Sequence, residues 1–338
     1  MRLINAKSLR LETYLGDNIP PYSILSHTWL DEELTLQEFE RPGHGAGRKG
    51  YAKIAAACAQ SLKQGIKYTW VDTCCIDKTS SAELTEAINS MFEWYAKALV
   101  CYAFLADVEP DPWDPSTTSI EGSRWLKRGF TLQELLAPKR VEFYAADWTY
   151  IATRHELAPQ LSLATTIAQV YLLDDLSCGS RQSLLFRANM AERMSWAALR
   201  DTTREEDKAY CLLGLFGVNI PLIYGEGGNA FLRLQEEILR RSFDPTLLAW
   251  NLPSGDGPLM PIESPGSSKL VDAVSAKHFV GCGNLVARHS PDLNWALIPQ
   301  GLQMRLPVSR ALSLNRHPYL LIPCFRRHNP LLLTAVPI

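Results

Sequence analysis

Lys67-Tyr-Thr-Trp-Val-Asp-Thr73 and Ala98-Leu-Val-Cys-Tyr-Ala-Phe-Leu105 are the two stretches that decide the fold. The first is β-branched and aromatic, and the second is almost wholly apolar. Both have the length of strands rather than helices. Between them, Ser80-Ser-Ala-Glu83 has the spacing of a capping box, and Leu84, Ile88, Met91 and Tyr95 fall on one helical face behind it. A strand buried on both sides reads as one continuous apolar run. Residues 98–105 therefore belong inside a sheet covered by helices on both faces.

The same alternation extends outward. Tyr22-Ser-Ile-Leu-Ser26 follows two prolines and reads as a strand. Tyr51, Ile54, Ala55, Cys58 and Leu62 have helical spacing, and Gly65 is a stop signal behind them. A helix is expected from about Thr131, where Thr131-Leu-Gln-Glu134 has capping-box spacing, and a strand over residues 140–144. Strand and helix thus alternate through residues 20–145, which predicts an α/β fold with a mostly parallel sheet flanked by helices. Residues 156–241 read as mainly helical. Thr203-Arg-Glu-Glu206 is another expected capping box, and Phe231, Leu234, Ile238 and Leu239 form one helical face. From Asp244 the chain turns rich in Pro, Gly and Ser, then in short apolar runs. The expected organisation is one domain over residues 1–250, with an α/β core at 20–150 and a helical part at 151–250. A β-rich or irregular C-terminal segment follows at 251–338.

Composition narrows the function classes. The 338 residues are 46% hydrophobic, enough for a large core. Lys and Arg number 34 against 36 Asp and Glu, so there is no basic excess to attract a polyanion, and nucleic acid is not an expected partner. The first 17 residues have no apolar signal-like region, and the most apolar run, residues 98–106, is far too short for a bilayer. No membrane partner is expected. The eight cysteines, at 58, 74, 75, 101, 178, 211, 282 and 324, include no CxxC pair and read as reduced thiols in a cytosolic or nuclear compartment, with the cytoplasm as the expected location.

Several motifs fail their context. Gly45-Ala-Gly47-Arg-Lys-Gly50 matches GxGxxG, and Asp72 lies at a suitable distance, but no strand precedes it, so it reads as a surface loop. There is no GxxxxGK[ST], GxSxG or HExxH. His317, Cys324 and His328 fit no common metal spacing, and no metal is expected. Cys74 and Cys75 are adjacent, and on a strand they would face opposite ways. One is read as a buried thiol, with a nucleophilic cysteine paired to His27 as the sharper alternative.

Four blocks together resemble the fungal HET (heterokaryon incompatibility) domain. They are Tyr22-Ser-Ile-Leu-Ser-His-Thr-Trp29; Tyr68-Thr-Trp-Val-Asp-Thr-Cys-Cys-Ile-Asp77 with the helix that follows; Arg124-Trp-Leu-Lys-Arg-Gly-Phe-Thr-Leu-Gln-Glu-Leu-Leu-Ala-Pro138; and Ala191-Glu-Arg-Met-Ser-Trp196 with residues 202–217 and Tyr224-Gly-Glu-Gly227. Phe130 stands where that family usually has tryptophan. The resemblance implies a part in fungal non-self recognition and the regulated cell death that follows it. A more distant resemblance, in the order of elements, is to Toll/interleukin-1 receptor (TIR) domains. Some of these cleave NAD with a glutamate placed as Glu134 is in Phe130-Thr-Leu-Gln-Glu134.

That second resemblance implies NAD as a substrate, with no resident cofactor, cleaved at the nicotinamide–ribose bond. Glu134, His27 and Asp72 are then the candidate catalytic residues, and Trp29, Cys74, Asp77, Trp125 and Trp148 the candidate substrate-binding ones. A carboxylate close to the ribose stabilises the cationic transition state. The competing reading of Glu134 is a helix cap, since the chain uses the same device at Thr35-Leu-Gln-Glu38. Three functions stay open: a nucleotide-consuming effector, a non-catalytic signalling module that oligomerises, and a metabolic enzyme on a HET scaffold. Homo-oligomerisation and an upstream fungal receptor are the expected partnerships.

Overall fold

The computed structural model describes residues 1–16, 18–41, 43, 47–174, 179–250, 275–287, 295–298, 301–304, 308–309, 319–327 and 334–337. The chain divides into two compact units, Met1–Gln182 and Ser183–Ile338. Gly45, Cys178, His317, His328 and residues 251–274 of the expected irregular segment lie outside the described residues.

The first unit is built on a seven-stranded sheet: β1 (Arg2–Asn5), β2 (Arg10–Thr13), β3 (Ser23–His27), β4 (Tyr68–Trp70), β5 (Val100–Phe104), β6 (Val141–Tyr144) and β7 (Tyr150–Thr153), in the order β2-β1-β4-β3-β5-β6-β7. Its helices are α1 (Leu36–Glu40), α2 (Lys49–Lys63), α3 (Asp72–Cys75), α4 (Ser81–Lys97), α5 (Arg124–Lys127), α6 (Thr131–Leu136) and α7 (Ala158–Thr165).

The sheet is mixed, not mostly parallel as expected. The four central strands, β4-β3-β5-β6, are parallel. The β1–β2 hairpin adds to β4 antiparallel, and β7 folds back antiparallel on β6. Both additions come from tight local turns. The Asn5 side chain accepts from the amides of Lys7 and Ser8 at 3.1 and 3.2 Å, and Asp147 accepts from the amide of Thr149 at 2.8 Å, with Trp148 at φ +67°. Such short hairpins carry little periodicity.

Residues 67–73 also depart from expectation. The strand ends at Trp70, and Asp72–Cys75 is a helical turn with both cysteines buried, so their side chains do not alternate. On α2 the buried face is Gly50, Lys53, Ile54, Ala57, Cys58 and Ser61, rotated from the expected one, and Leu62 is 43% exposed.

Strand β3 is buried at every position. Ser23 meets Ser61 of α2 through their hydroxyls at 2.6 Å, whereas Tyr95 of α4 donates to the carbonyl of Leu25 at 3.1 Å. Helix α6 is short and wholly buried, so its end carbonyls need partners. Two buried arginines supply them. Arg154 donates to the carbonyls of Leu135 and Pro138 at 2.8 Å each, of Leu172 at 3.0 Å and of Lys139 at 3.1 Å, and it pairs with Asp174. Arg181 donates to the carbonyls of Leu136 at 3.1 Å and Leu173 at 2.7 Å.

The second unit holds the Met190–Ala197 helix, capped by Asn189, and the amphipathic Asn229–Arg241 helix. Short antiparallel pairs follow: Leu285–Ala287 with Cys324–Arg326, Trp295–Ile298 with Gly301–Met304, and Tyr319–Ile322 with Val308–Ser309 and Thr334–Pro337. The capping box expected over residues 203–206 does not form. Glu206 instead accepts from the amides of Gly225 and Gly227 at 2.7 and 3.0 Å, closing the Gly-Glu-Gly turn. Among the described residues no helix is long and apolar enough to cross a membrane.

Replacing Arg154 by Met should lower the unfolding free energy by at least about 3 kcal/mol, because several buried carbonyls lose their donor at once. Urea denaturation of the two proteins measures it; a loss below about 1 kcal/mol would show that α6 does not depend on this side chain.

Candidate functional site

The site forms at the C-terminal end of β3, where the parallel strands run second, first, third, fourth across the sheet. Doubly wound sheets place their ligands at that reversal of order. Adjacent strand residues face opposite sides, so Ser26 and His27 open two polar clusters, one on each face.

On the Ser26 face lies Glu134. Helix α6 begins without a side-chain cap, and Thr131 donates to the carbonyls of Trp125 and Arg128 instead. Glu134 is therefore not a capping residue. Its Oε2 accepts from the Ser26 hydroxyl, whose oxygen in turn accepts from the indole N–H of Trp125 at 2.7 Å. Burial raises the Glu134 carboxyl to about 8. The negative charge of Asp72 adds to that rise, while Ser26, Tyr95 and Arg128 offset part of it. At Thr35-Leu-Gln-Glu38, by contrast, both bonds of the capping box are present.

On the His27 face the chain runs Glu33–Lys53–His27–Asp72–Trp29. Lys53, buried on α2, contacts Glu33 and lies 2.6 Å from His27 Nδ1. An ammonium only donates, so Nδ1 accepts and the ring proton sits on Nε2, which donates to Asp72 Oδ1 at 2.9 Å. Trp29 Nε1 donates to Asp72 Oδ2 at 2.8 Å. Burial acts to raise the Asp72 carboxyl, but Lys78, His27 and Trp29 outweigh it and hold it below the usual carboxylate range. Burial lowers the Lys53 ammonium, against the opposing pull of Glu33.

The loop carrying Glu33 is pressed against α2 at Gly50. A Cβ there would meet the Glu32 carbonyl oxygen at 2.6 Å and the Glu33 Cα at 3.0 Å. Gly50 of the GxGxxG match thus serves a close helix–loop approach.

The remaining expected site residues are placed as follows. Trp125 is fully buried behind Ser26, and Trp148 stacks on Phe104 at 4.9 Å, Phe104 being the residue paired with His27 across the sheet. Cys74 is fully buried in α3, and burial pushes its thiol well above the ordinary value, which disfavours a nucleophilic thiolate. Asp77 accepts from Thr79 and from Gln37 at 2.9 Å and so orders the turn before α4. Ser26, Glu33, Lys53 and Lys78 were not anticipated from the sequence. Lys53 had one legible signal: it sits four and eight residues before Ala57 and Ser61, on the buried face of α2.

Two outcomes test this geometry. Gly50→Ala should cost about 1–3 kcal/mol of stability by forcing backbone apart, read by thermal denaturation. A wild-type value would show that the loop yields freely. Glu134 supplies a pH signature. Its folded-state pKa of about 8 exceeds the ordinary value near 4.3, so between those pH values the folded protein keeps a proton that the unfolded chain has released. Stability should fall as pH rises through that window, by up to about 1.4 kcal/mol per pH unit from this group. Glu134→Gln should remove that component of the slope; equal slopes in both proteins would place the Glu134 pKa near its ordinary value.

The family described as Heterokaryon incompatibility protein (HET) matches residues 22–124, and Domain of unknown function (DUF8212) matches residues 229–279. The vegetative incompatibility protein HET-E-1 of Podospora anserina is 45% identical over 227 residues, which is 65% of this chain and 16% of that protein. The chain thus spans less than a fifth of the length of this curated relative. No solved structure matches it. The HET match takes in β3, α2, β4, α4 and β5, with His27, Trp29, Lys53 and Asp72, and ends before Trp125 and Glu134. Residues 22–124 of this chain are thus similar to the HET family.

Proposed function

We propose that this chain is an effector of heterokaryon incompatibility in fungal non-self recognition, acting in the cytoplasm by cleaving NAD at the nicotinamide–ribose bond. The observation that carries the enzymatic part is Glu134: a buried carboxyl, free of any capping duty, bonded to Ser26 at the C-terminal rim of the parallel strands. The identity to HET-E-1 supports the incompatibility role. The second-first-third-fourth order of the parallel strands supports the TIR-like reading of the core.

The chemistry follows from the charges. Nicotinamide leaves with the bonding electron pair and becomes neutral, and the ribose carbon becomes an oxocarbenium centre. Water then adds to that carbon and releases its proton to solvent. With a pKa near 8, Glu134 is mostly protonated at pH 7 in the free protein. A cationic pyridinium ring alongside favours its ionised form. The carboxylate is then present when the ribose turns positive, and it stabilises that charge. Asp72, fixed by His27 and Trp29, keeps a second negative charge at the same rim. The trigger would come from self-association or from an upstream receptor.

Purified protein, dilute and concentrated, should release nicotinamide from NAD, faster as pH rises toward 8. Glu134→Gln should reduce release roughly hundredfold or more while remaining folded. No release from the wild type at any concentration would remove the enzymatic reading and favour a non-catalytic signalling module.

A further inference from the structure

Lys78 lies between α3 and α4 and reaches back over the rim. Its Nζ sits 3.6 Å from the centroid of the Trp29 ring and 3.8 Å from Asp72 Oδ2. The ring and the carboxylate form one unit, because the indole N–H is spent on Asp72 Oδ2 and His27 holds Oδ1. Trp29 is 47% exposed and the Asp72 side chain 19%, so this unit can be reached from solvent. An aromatic face beside an ionised carboxylate is a recognition set for cations. In the structure that set already holds a cation, supplied by the chain itself.

We propose that Trp29 and Asp72 form a seat for a flat organic cation, that Lys78 fills the seat in the ligand-free protein, and that an N-alkylpyridinium ring displaces it. The choice of pyridinium rests on the NAD reading above, since that is the charged end of NAD; the seat itself rests on the Trp29–Asp72–Lys78 geometry. A lysine ammonium is a compact, strongly hydrated point charge, and setting it against an indole strips part of that hydration. Burial does lower the Lys78 ammonium, with Asp72 opposing. A delocalised ring cation covers more of the indole and gives up less hydration. Among the described residues Lys78 is held only by a cation–π contact and a partly exposed ion pair at 3.8 Å, both modest interactions. Displacement therefore weakens ligand binding by about tenfold rather than preventing it. Lys78 thereby acts as an internal competitor that sets the threshold concentration for the ligand.

The probes are 1-methylnicotinamide, which is charged, and nicotinamide, which has the same ring without the charge. Binding to the wild type and to Lys78→Ala is followed by calorimetry and tryptophan fluorescence. Lys78→Ala should bind 1-methylnicotinamide roughly tenfold more tightly than the wild type, and nicotinamide much more weakly than the cation in both proteins. Trp29→Leu should abolish the fluorescence change and the binding together. Should Trp29→Leu fail to fold, the comparison of Lys78→Ala with wild type decides alone. Equal affinity of the two proteins for the cation, equal affinity for charged and uncharged rings, or no binding to either protein at millimolar probe would each overturn the seat. Cation binding tightened by Lys78→Ala without any NAD cleavage would sustain the seat and sink the enzymatic reading. NAD cleavage with no effect of Lys78→Ala on cation binding would do the reverse.

Discussion

A strand buried on both faces has no water with which to satisfy polar side chains, yet β3 carries Ser23, Ser26 and His27. Each must therefore find a partner on a neighbouring element, and those partners fix where the helices go. Ser23 draws in Ser61 and Thr69, which sets the C-terminal half of α2 against the sheet. His27 draws in Lys53 two turns earlier on the same helix. Ser26, on the other face, bonds Glu134 and Trp125 and so fixes α5 and α6. An all-apolar β3 would allow those helices to slide.

The opposite end of that arrangement is held by charge rather than shape. Helix α6 has only six residues, too few to be stable by itself. Arg154 and Arg181 satisfy its terminal carbonyls from just after β7 and from the chain beyond α7. Glu134 is thus positioned from both sides, by Ser26 at its carboxylate and by the arginines at its backbone. Such a carboxyl keeps its geometry although its helix would not persist in isolation.

The parallel centre was legible in the sequence because apolar runs and helical faces of ordinary length alternate over residues 20–145. The edges were not. The β1–β2 hairpin has four residues a strand and side chains that are partly exposed, so its pattern resembles that of a loop. The site was legible in its rim residues, since His27, Asp72 and Trp29 end or follow strands. Its connections were not, because they join residues far apart in sequence. Glu134 and Ser26 are separated by 108 positions, and His27 and Asp72 by 45. The box at Thr131-Leu-Gln-Glu134 failed for a local reason: the carbonyls of Trp125 and Arg128, just upstream, take the threonine hydroxyl in place of the helix end. Nothing in the local spacing distinguishes it from Thr35-Leu-Gln-Glu38, where the box forms.

The ring of His27 is wired at both nitrogens, with Nδ1 accepting a hydrogen bond from Lys53 and Nε2 donating one to Asp72. Both ring nitrogens are therefore already engaged within the chain. The position asks for an acceptor facing one way and a donor facing the other, at fixed separation. An amide side chain offers the same pair of functions, so the place of His27 in the site is that of a spacer with polarity, separable from imidazole chemistry as such.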